Sequence, residues 1–121
     1  MSRNIRAAIL AAFAASALAT PAFAHAHLGT SYPVADSVNS PAPTEIDITF
    51  TEGVNLKFTG ATLTGPDGKP VALGDGMLMG GDAMWMAPIT GTLAPGVYTV
   101  DWHALATDGH KTNGSFKFTV K

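Results

Sequence analysis

The sequence predicts an all-β domain, a seven-stranded Greek-key sandwich or barrel of the immunoglobulin-like or cupredoxin-like kind. Apolar and polar residues alternate with period two along several short segments, and the chain after residue 24 shows no helical periodicity. Gly, Pro, Asn and Asp interrupt this alternation every few residues. Short alternating strands separated by turns are typical of two packed β-sheets.

The clearest strands are residues 46–50, 98–104 and 116–120, where every second residue is apolar. One face of each strand should therefore be buried and the other solvated. Shorter strands are expected at residues 28–32, 58–63, 71–73 and 84–89, with turn signals at residues 65–68 and 80–82.

A turn at Pro95-Gly96 directly precedes Tyr98 at the start of its strand. A tyrosine in this position is typical of the tyrosine corner that closes a Greek key. The pattern therefore supports a Greek-key order of strands.

The first 24 residues have the three parts of a cleaved secretory signal. Arg3 and Arg6 form a basic start, residues 7–19 form an apolar stretch, and Ala22-Phe23-Ala24 supplies a small-x-small cleavage pattern. A helix that spans a bilayer needs about 20 apolar residues, so this stretch is too short to serve as an anchor. We therefore expect residues 1–24 to be removed and residues 25–121 to form one domain in the periplasm, on the far side of the inner membrane.

A second cleavage position is open, because Ala24-His25-Ala26 also fits small-x-small and would leave His27 first. We favour the cut before His25, since it follows the apolar 21–24 run directly and keeps histidine out of the residues preceding the cut.

The composition of residues 25–121 excludes several classes of protein. Five lysines face nine acidic residues, a formal charge of minus four, which does not suit a nucleic-acid surface. Cysteine is absent, so the fold has no disulfides and any metal must be bound by N, O or thioether donors. Scattered charges give no dimerisation signal, and a monomer is expected.

Two histidine motifs are candidates for a metal site. His25 and His27 lie at the expected mature start, and Asp108 and His110 flank Gly109 after the strand at 98–104. Residues two apart in an extended segment project the same way, so each pair can face one point. If the N-terminal segment pairs near the 108–110 loop, three imidazoles, a carboxylate and the α-amine converge.

Such N and O donors suit Cu(II), which also leads the stability order of the divalent first-row ions. The α-amine is a practical ligand because its ordinary pKa is about 7.7–8.0, well below that of lysine.

Simpler explanations exist for each of these residues. A histidine at the junction can be accidental, and Asp108-Gly109-His110 can be a turn in which the carboxylate caps backbone N–H groups. His27 can be an axial ligand, an outer-shell partner or an exposed residue. His103 lies on the strand face opposite Trp102 and is expected to face solvent.

The chain resembles the CopC family of periplasmic copper-binding proteins, including its YobA-like members. The run LAPGVYTVDWHALATDGHKTNGSFKFTVK, residues 93–121, is similar to that family's carboxy-terminal signature. HAHLGTSYPVADSVNSPAPTEIDITFTEGV, from residue 25, is similar to its mature start, and FTGATLTGPDG fits the strand between. The resemblance covers nearly all of residues 25–121.

The resemblance implies a Greek-key β-domain, a role in copper homeostasis and resistance, and often an inner-membrane copper transporter of the CopD type as partner. It implies Cu(II) ligands at His25, through amine and ring, and at Asp108 and His110, with His27 matching a second histidine of some members.

One departure from the family concerns methionine. Well-known members carry a Met-rich Cu(I) loop after the strand that corresponds to residues 58–64, where this chain has Gly65-Pro66-Asp67-Gly68-Lys69. Its methionines fall later, at Met77, Met79, Met84 and Met86. On a hairpin these four would share one face, as either a Cu(I) site or flexible packing residues.

Sequestration or carriage of Cu(II) without catalysis is the function that these features favour. An N-terminal histidine brace is also the copper centre of lytic polysaccharide monooxygenases, so an oxidative copper enzyme is the alternative. The short chain and a carboxylate at Asp108 count against it. A plain adhesion or structural β-domain would bind no metal tightly.

Overall fold

Two β-sheets packed face to face form the part of the chain that the computed structural model describes, residues 26–121. The first sheet contains, in spatial order, β1 (Leu28–Tyr32), β3 (Glu45–Phe50), β7 (Met84–Pro88) and β6 (Met77–Met79). The second contains β2 (Val38–Asn39), β9 (Lys111–Val120), β8 (Gly96–Leu105), β4 (Gly60–Thr64) and β5 (Pro70–Val71). The predicted all-β sandwich is confirmed.

Strand pairing within residues 26–121 is antiparallel except between β2 and β9. The seven expected strands are present, and β2 and β6 bring the total in this range to nine. No helix of this range has the length and apolar character needed to cross a bilayer.

The strand expected at residues 58–63 begins later than predicted. Leu56–Phe58 forms a 3₁₀ turn, and β4 starts at Gly60. The side chain of Asn55 accepts a hydrogen bond of 2.9 Å from the backbone N–H of Lys57, which caps this turn. Phe58 is therefore 52% exposed and does not point into the core.

The core lies between the sheets and is filled from alternate positions of β3, β8 and β9. Phe50 and Trp102 meet edge to face across the sheets, with ring centroids 5.4 Å apart. Tyr98 stacks on Phe118 at 5.4 Å, and its hydroxyl donates a hydrogen bond of 2.6 Å to the carbonyl of Ala94. The tyrosine corner expected from the sequence is thus present.

Three connections meet at one end of the sandwich, which we call the loop end: residues 51–54, 80–83 and 106–110. Val54 donates its N–H to the carbonyl of Asp82 at 2.9 Å and also bridges to Ala106. Thr107 donates to the carbonyl of Gly53 at 3.1 Å. The β6–β7 turn and the β8–β9 connection are therefore joined through one short segment.

The outer face of the four-stranded sheet contains an unusual carboxyl group, that of Asp47. Its Oδ1 is buried without a hydrogen-bond partner. The pKa of Asp47 is raised to about 6, mainly by burial and in addition by the hydrogen bond and the negative charge of Glu45, two residues away on the same face. Tyr32 of β1 and Met86 of β7 are its cross-strand neighbours.

We expect Asp47→Asn to remove a pH-dependent loss of stability. Because the pKa is higher in the folded state, that state keeps a proton between about pH 4 and 6 which the unfolded chain has released. Raising the pH through this window therefore lowers the free energy of unfolding, on the order of 1 kcal/mol for a partly exposed group. Urea titrations with EDTA at several pH values measure it.

The matched control is Asp101→Asn, which changes an exposed aspartate on β8. It should retain the parent's decline between pH 4 and 6.5, whereas Asp47→Asn should flatten it. If the free energy of unfolding falls equally with pH in the parent and in Asp47→Asn, ionisation of this carboxyl does not destabilise the folded state.

Candidate metal site

The Asp108-Gly109-His110 motif forms the tight connection between β8 and β9 at the loop end. Gly109 has φ +98°, a left-handed conformation that suits glycine, and donates its N–H to the carbonyl of Ala106 at 2.9 Å. Ala106 in turn donates to the carbonyl of His110 at 2.8 Å. These bonds fix the backbone on both sides of the two candidate ligands.

The side chains of Asp108 and His110 are in direct contact. Oδ2 of Asp108 lies 3.1 Å from Nδ1 of His110, and Oδ1 accepts the backbone N–H of His110 at 3.1 Å. The side chains are 37% and 50% exposed, respectively, so solvent reaches both. The carboxylate thus orients the imidazole, and the loop presents an oxygen donor and a nitrogen donor side by side.

The N-terminal segment is anchored next to this loop. Ala26 is fully buried, and its carbonyl accepts a hydrogen bond of 2.5 Å from the hydroxyl of Thr112. Thr112 is only two residues beyond His110 along the chain. The residue bonded directly to His25 is therefore fixed at the beginning of β9.

His27 is held by the connection that follows β3. Its N–H donates to Oγ1 of Thr51 at 3.0 Å, and its carbonyl accepts the N–H of Thr51 at 2.9 Å. His27 is exposed, whereas Ala26 beside it points into the core. The backbone of His27 is thus fixed at the loop end.

His25 lies outside the described residues. Within residues 26–121, no group of three or more His, Asp or Glu side chains is arranged to hold a metal ion. The structure therefore brings together Asp108 and His110, and it does not join His27 to them in such a group.

His103 faces outward on β8, as its position in the strand predicts. It is exposed, and its ring lies over Gly60, where a Cβ would come within 3.2 Å of Cε1. Together with Phe58 and Lys111 it lines a cavity of about 340 Å³ beside the loop end.

Two residues that position the site, Thr51 and Thr112, carried no signal in the sequence. Each hydroxyl binds a backbone group of the segment 26–27, which is more than 20 residues away in the chain. Threonine is ordinary both in strands, as at Thr112, and in the connections beside them, as at Thr51, so only the tertiary structure identifies these two as anchors.

Comparison with known proteins places this sandwich in a defined structural class. The crystal structure of PcoC, described as a methionine-rich copper resistance protein from Escherichia coli, matches with a TM-score of 0.72 and 36% sequence identity. The match covers 81% of this chain and 100% of that one. The fold is thus that of a copper resistance protein.

Sequence comparisons lead to the family. The CopC domain model matches residues 28–121. Protein YobA of Escherichia coli K12 is 39% identical over 122 residues, covering 99% of this chain and 97% of the relative. Copper resistance protein C of Escherichia coli is 37% identical over 121 residues, covering 94% and 95%.

The chain belongs to the CopC family, as the sequence motifs predicted. It is a CopC-family copper resistance protein, and the family is one of copper-binding proteins rather than enzymes. Family membership therefore argues against the oxidative copper enzyme that the sequence left open as the alternative.

Proposed function

We propose that the exported, processed chain begins at His25 and carries one Cu(II) ion in the periplasm. The ligands are the α-amine and ring of His25, the carboxylate of Asp108 and the imidazole of His110. One observation carries this proposal: Thr112 anchors Ala26, the neighbour of His25, beside the loop in which Asp108 contacts His110.

The donor set determines the oxidation state that we assign to this site. Two imidazoles, an amine and a carboxylate are N and O donors, which suit tetragonal Cu(II). Binding requires the α-amine to release its proton. Because its ordinary pKa is about 7.7–8.0, this release costs little free energy near neutral pH. Cu(I) prefers softer donors, which in this chain are the methionine thioethers.

His27 supplies an additional imidazole at the loop end. The backbone of His27 is fixed by its hydrogen bonds to Thr51, so its imidazole is available to a metal ion at the loop end. We assign it to the copper site as the second histidine of the mature start, two residues from His25.

The cellular role that we propose is copper homeostasis and resistance, with the metal sequestered or passed on. Residues 1–24 direct export and are then removed. A CopD-type transporter in the inner membrane is the proposed partner, and the carrier acts as a monomer that binds no nucleic acid.

A Cu(II) titration of the exported protein tests the function directly. We expect one equivalent to bind tightly, with an EPR spectrum of tetragonal, nitrogen-rich Cu(II). With ascorbate and a glycan, the copper form should give no sustained peroxide production or cleavage. Weak or variable stoichiometry would contradict the carrier, and sustained copper-dependent turnover would support an oxidative enzyme instead.

A Thr112→Val variant tests the anchor. Valine keeps the shape of threonine but removes the hydroxyl that binds the Ala26 carbonyl, so the amino terminus should lose its fixed position. We expect Cu(II) affinity to fall about tenfold, as when an outer-shell partner of a metal site is lost. Competition titration against a chelator measures it.

Thr62→Val is the matched control, because this exposed residue lies at the middle of β4, opposite Asp101, and no hydrogen bond within residues 26–121 joins it to the segment 26–27. It should leave the affinity unchanged. Equal affinities in the parent and in Thr112→Val would mean that the bond to Ala26 does not position the site.

A further inference from the structure

The outer face of the β6–β7 hairpin carries four methionines in two cross-strand pairs. Met77 pairs with Met86, and Met79 pairs with Met84. On β7 the residues between and beside them, Trp85 and Ala87, are buried in the core, so the methionines point away from it. Every methionine after Met1 thus lies on this one surface, which we call the thioether face.

The spacing of this face brings the sulfur atoms within reach of one ion. Residues directly opposite in an antiparallel pair have Cβ atoms about 4.5–5.5 Å apart, and diagonal neighbours are about 7–8 Å apart. A methionine side chain has three rotatable bonds, so its thioether can cover such distances. Met77 and Met79 are 46% and 39% exposed, which leaves their side chains accessible to a solute.

A carboxyl group adjoins the thioether face. Asp47 of β3 is the cross-strand partner of Met86, so the row Asp47, Met86, Met77 runs across three strands. Its Oδ1 is buried and accepts no hydrogen bond. A cation held by the thioethers beside it would give this oxygen a favourable electrostatic partner.

The charge distribution of this sheet favours a cation. Its four strands contain two acidic residues, Glu45 and Asp47, and no lysine or arginine. The five lysines of residues 26–121 all lie outside these strands. No basic side chain of the sheet would repel a bound cation.

The thioether face also begins at the loop end. The turn between Met79 and Met84 is bonded to the segment 51–54, because Val54 donates to the carbonyl of Asp82. The same segment is joined to the Asp108–His110 connection through Ala106 and Thr107. The two donor sets therefore belong to connected elements of different sheets, with the loop end between them.

We infer that the thioether face is a second metal site, which binds a soft monovalent cation, Cu(I) or Ag(I), through Met77, Met79, Met84 and Met86 beside Asp47. Thioethers select Cu(I) over the harder divalent ions. The site shares no residue with the proposed Cu(II) ligands and goes beyond that function. Its existence can therefore be tested when the Cu(II) site is disabled.

The test uses Ag(I), an air-stable soft monovalent ion, and Cu(I) under reductant with a competing chelator, on the processed protein carrying His110→Ala. We expect one equivalent to bind and to shift the ε-methyl NMR signals of the four methionines. X-ray absorption of the Cu(I) form should show sulfur neighbours.

Two sets of variants identify the residues. Met77→Leu with Met79→Leu changes two exposed side chains on an edge strand, keeps their volume and should lower the affinity at least about tenfold. Asp47→Asn should lower it severalfold, and the control Asp101→Asn should leave it unchanged.

The contradicting result is equally specific. The site is contradicted if the leucine variants bind Ag(I) and Cu(I) with the parent's stoichiometry and affinity. It is equally contradicted if neither ion shifts the methyl signals of the methionines. Either result would show that the four methionines are packing residues and not ligands. If the parent protein, with His110 in place, binds Ag(I) but no Cu(II), the proposed function is overturned and the thioether site is retained.

Discussion

A His110→Ala variant is expected to bind Cu(II) at least about 100-fold more weakly than the parent. His110 is the imidazole that the loop presents next to Asp108, so its loss removes one proposed nitrogen ligand and the partner that the carboxylate orients. Loss of an outer-shell partner alone costs about 10- to 100-fold in metal affinity, and a direct ligand should cost no less. Competition titration and the EPR hyperfine pattern measure the effect.

The control for this variant is His103→Ala. His103 is also an exposed histidine of the β8–β9 hairpin, but it points outward over Gly60. It should keep the parent's affinity and spectrum. If the two variants bind Cu(II) equally well, the 108–110 loop is not the copper site.

Phe118→Ala is expected to destabilise the domain by about 3–5 kcal/mol. Phe118 is 1% exposed and stacks on Tyr98, which closes the Greek key through its bond to Ala94. Since a domain of this size has about 5–15 kcal/mol of stability in total, much of it would be lost. Urea unfolding followed by the fluorescence of the two buried tryptophans measures the change.

Val97→Ala provides the comparison, because Val97 is 50% exposed on the strand that pairs with Phe118's strand. It should cost less than about 1 kcal/mol. Similar losses in the two variants would mean that the buried ring of Phe118 stabilises the domain no more than an exposed side chain does.

Most of the sandwich could be predicted because burial imposes period two on its central strands. Residues 46–50 and 98–104 lie inside β3 and β8, whose inward positions are buried at every second residue. β6 was not among the expected strands and was considered only as an arm of the methionine hairpin, since Met77–Met79 is only three residues long and contains no β-branched side chain. The 3₁₀ turn at Leu56–Phe58 was missed because Asn55 caps it locally and no periodicity marks it.

The candidate site was predictable only where its residues are close in sequence. Asp108 and His110 share a three-residue motif, and the structure places them in contact. The hydrogen bond between Thr112 and Ala26 joins residues 86 positions apart, and no local sequence pattern predicts it. The prediction that the four methionines share one hairpin face is confirmed by the pairing of β6 with β7.

The α-amine of His25 as a copper ligand is tested most directly by adding one residue in front of it. Mass spectrometry first establishes that the exported protein begins at His25, and Cu(II) is then titrated into it and into a form with one extra N-terminal alanine. Sharply weaker binding by the extended form, with loss of nitrogen hyperfine structure, is the predicted result. Equal affinities of the two forms, or a mature start elsewhere, would contradict the amine chelate and leave copper to other residues.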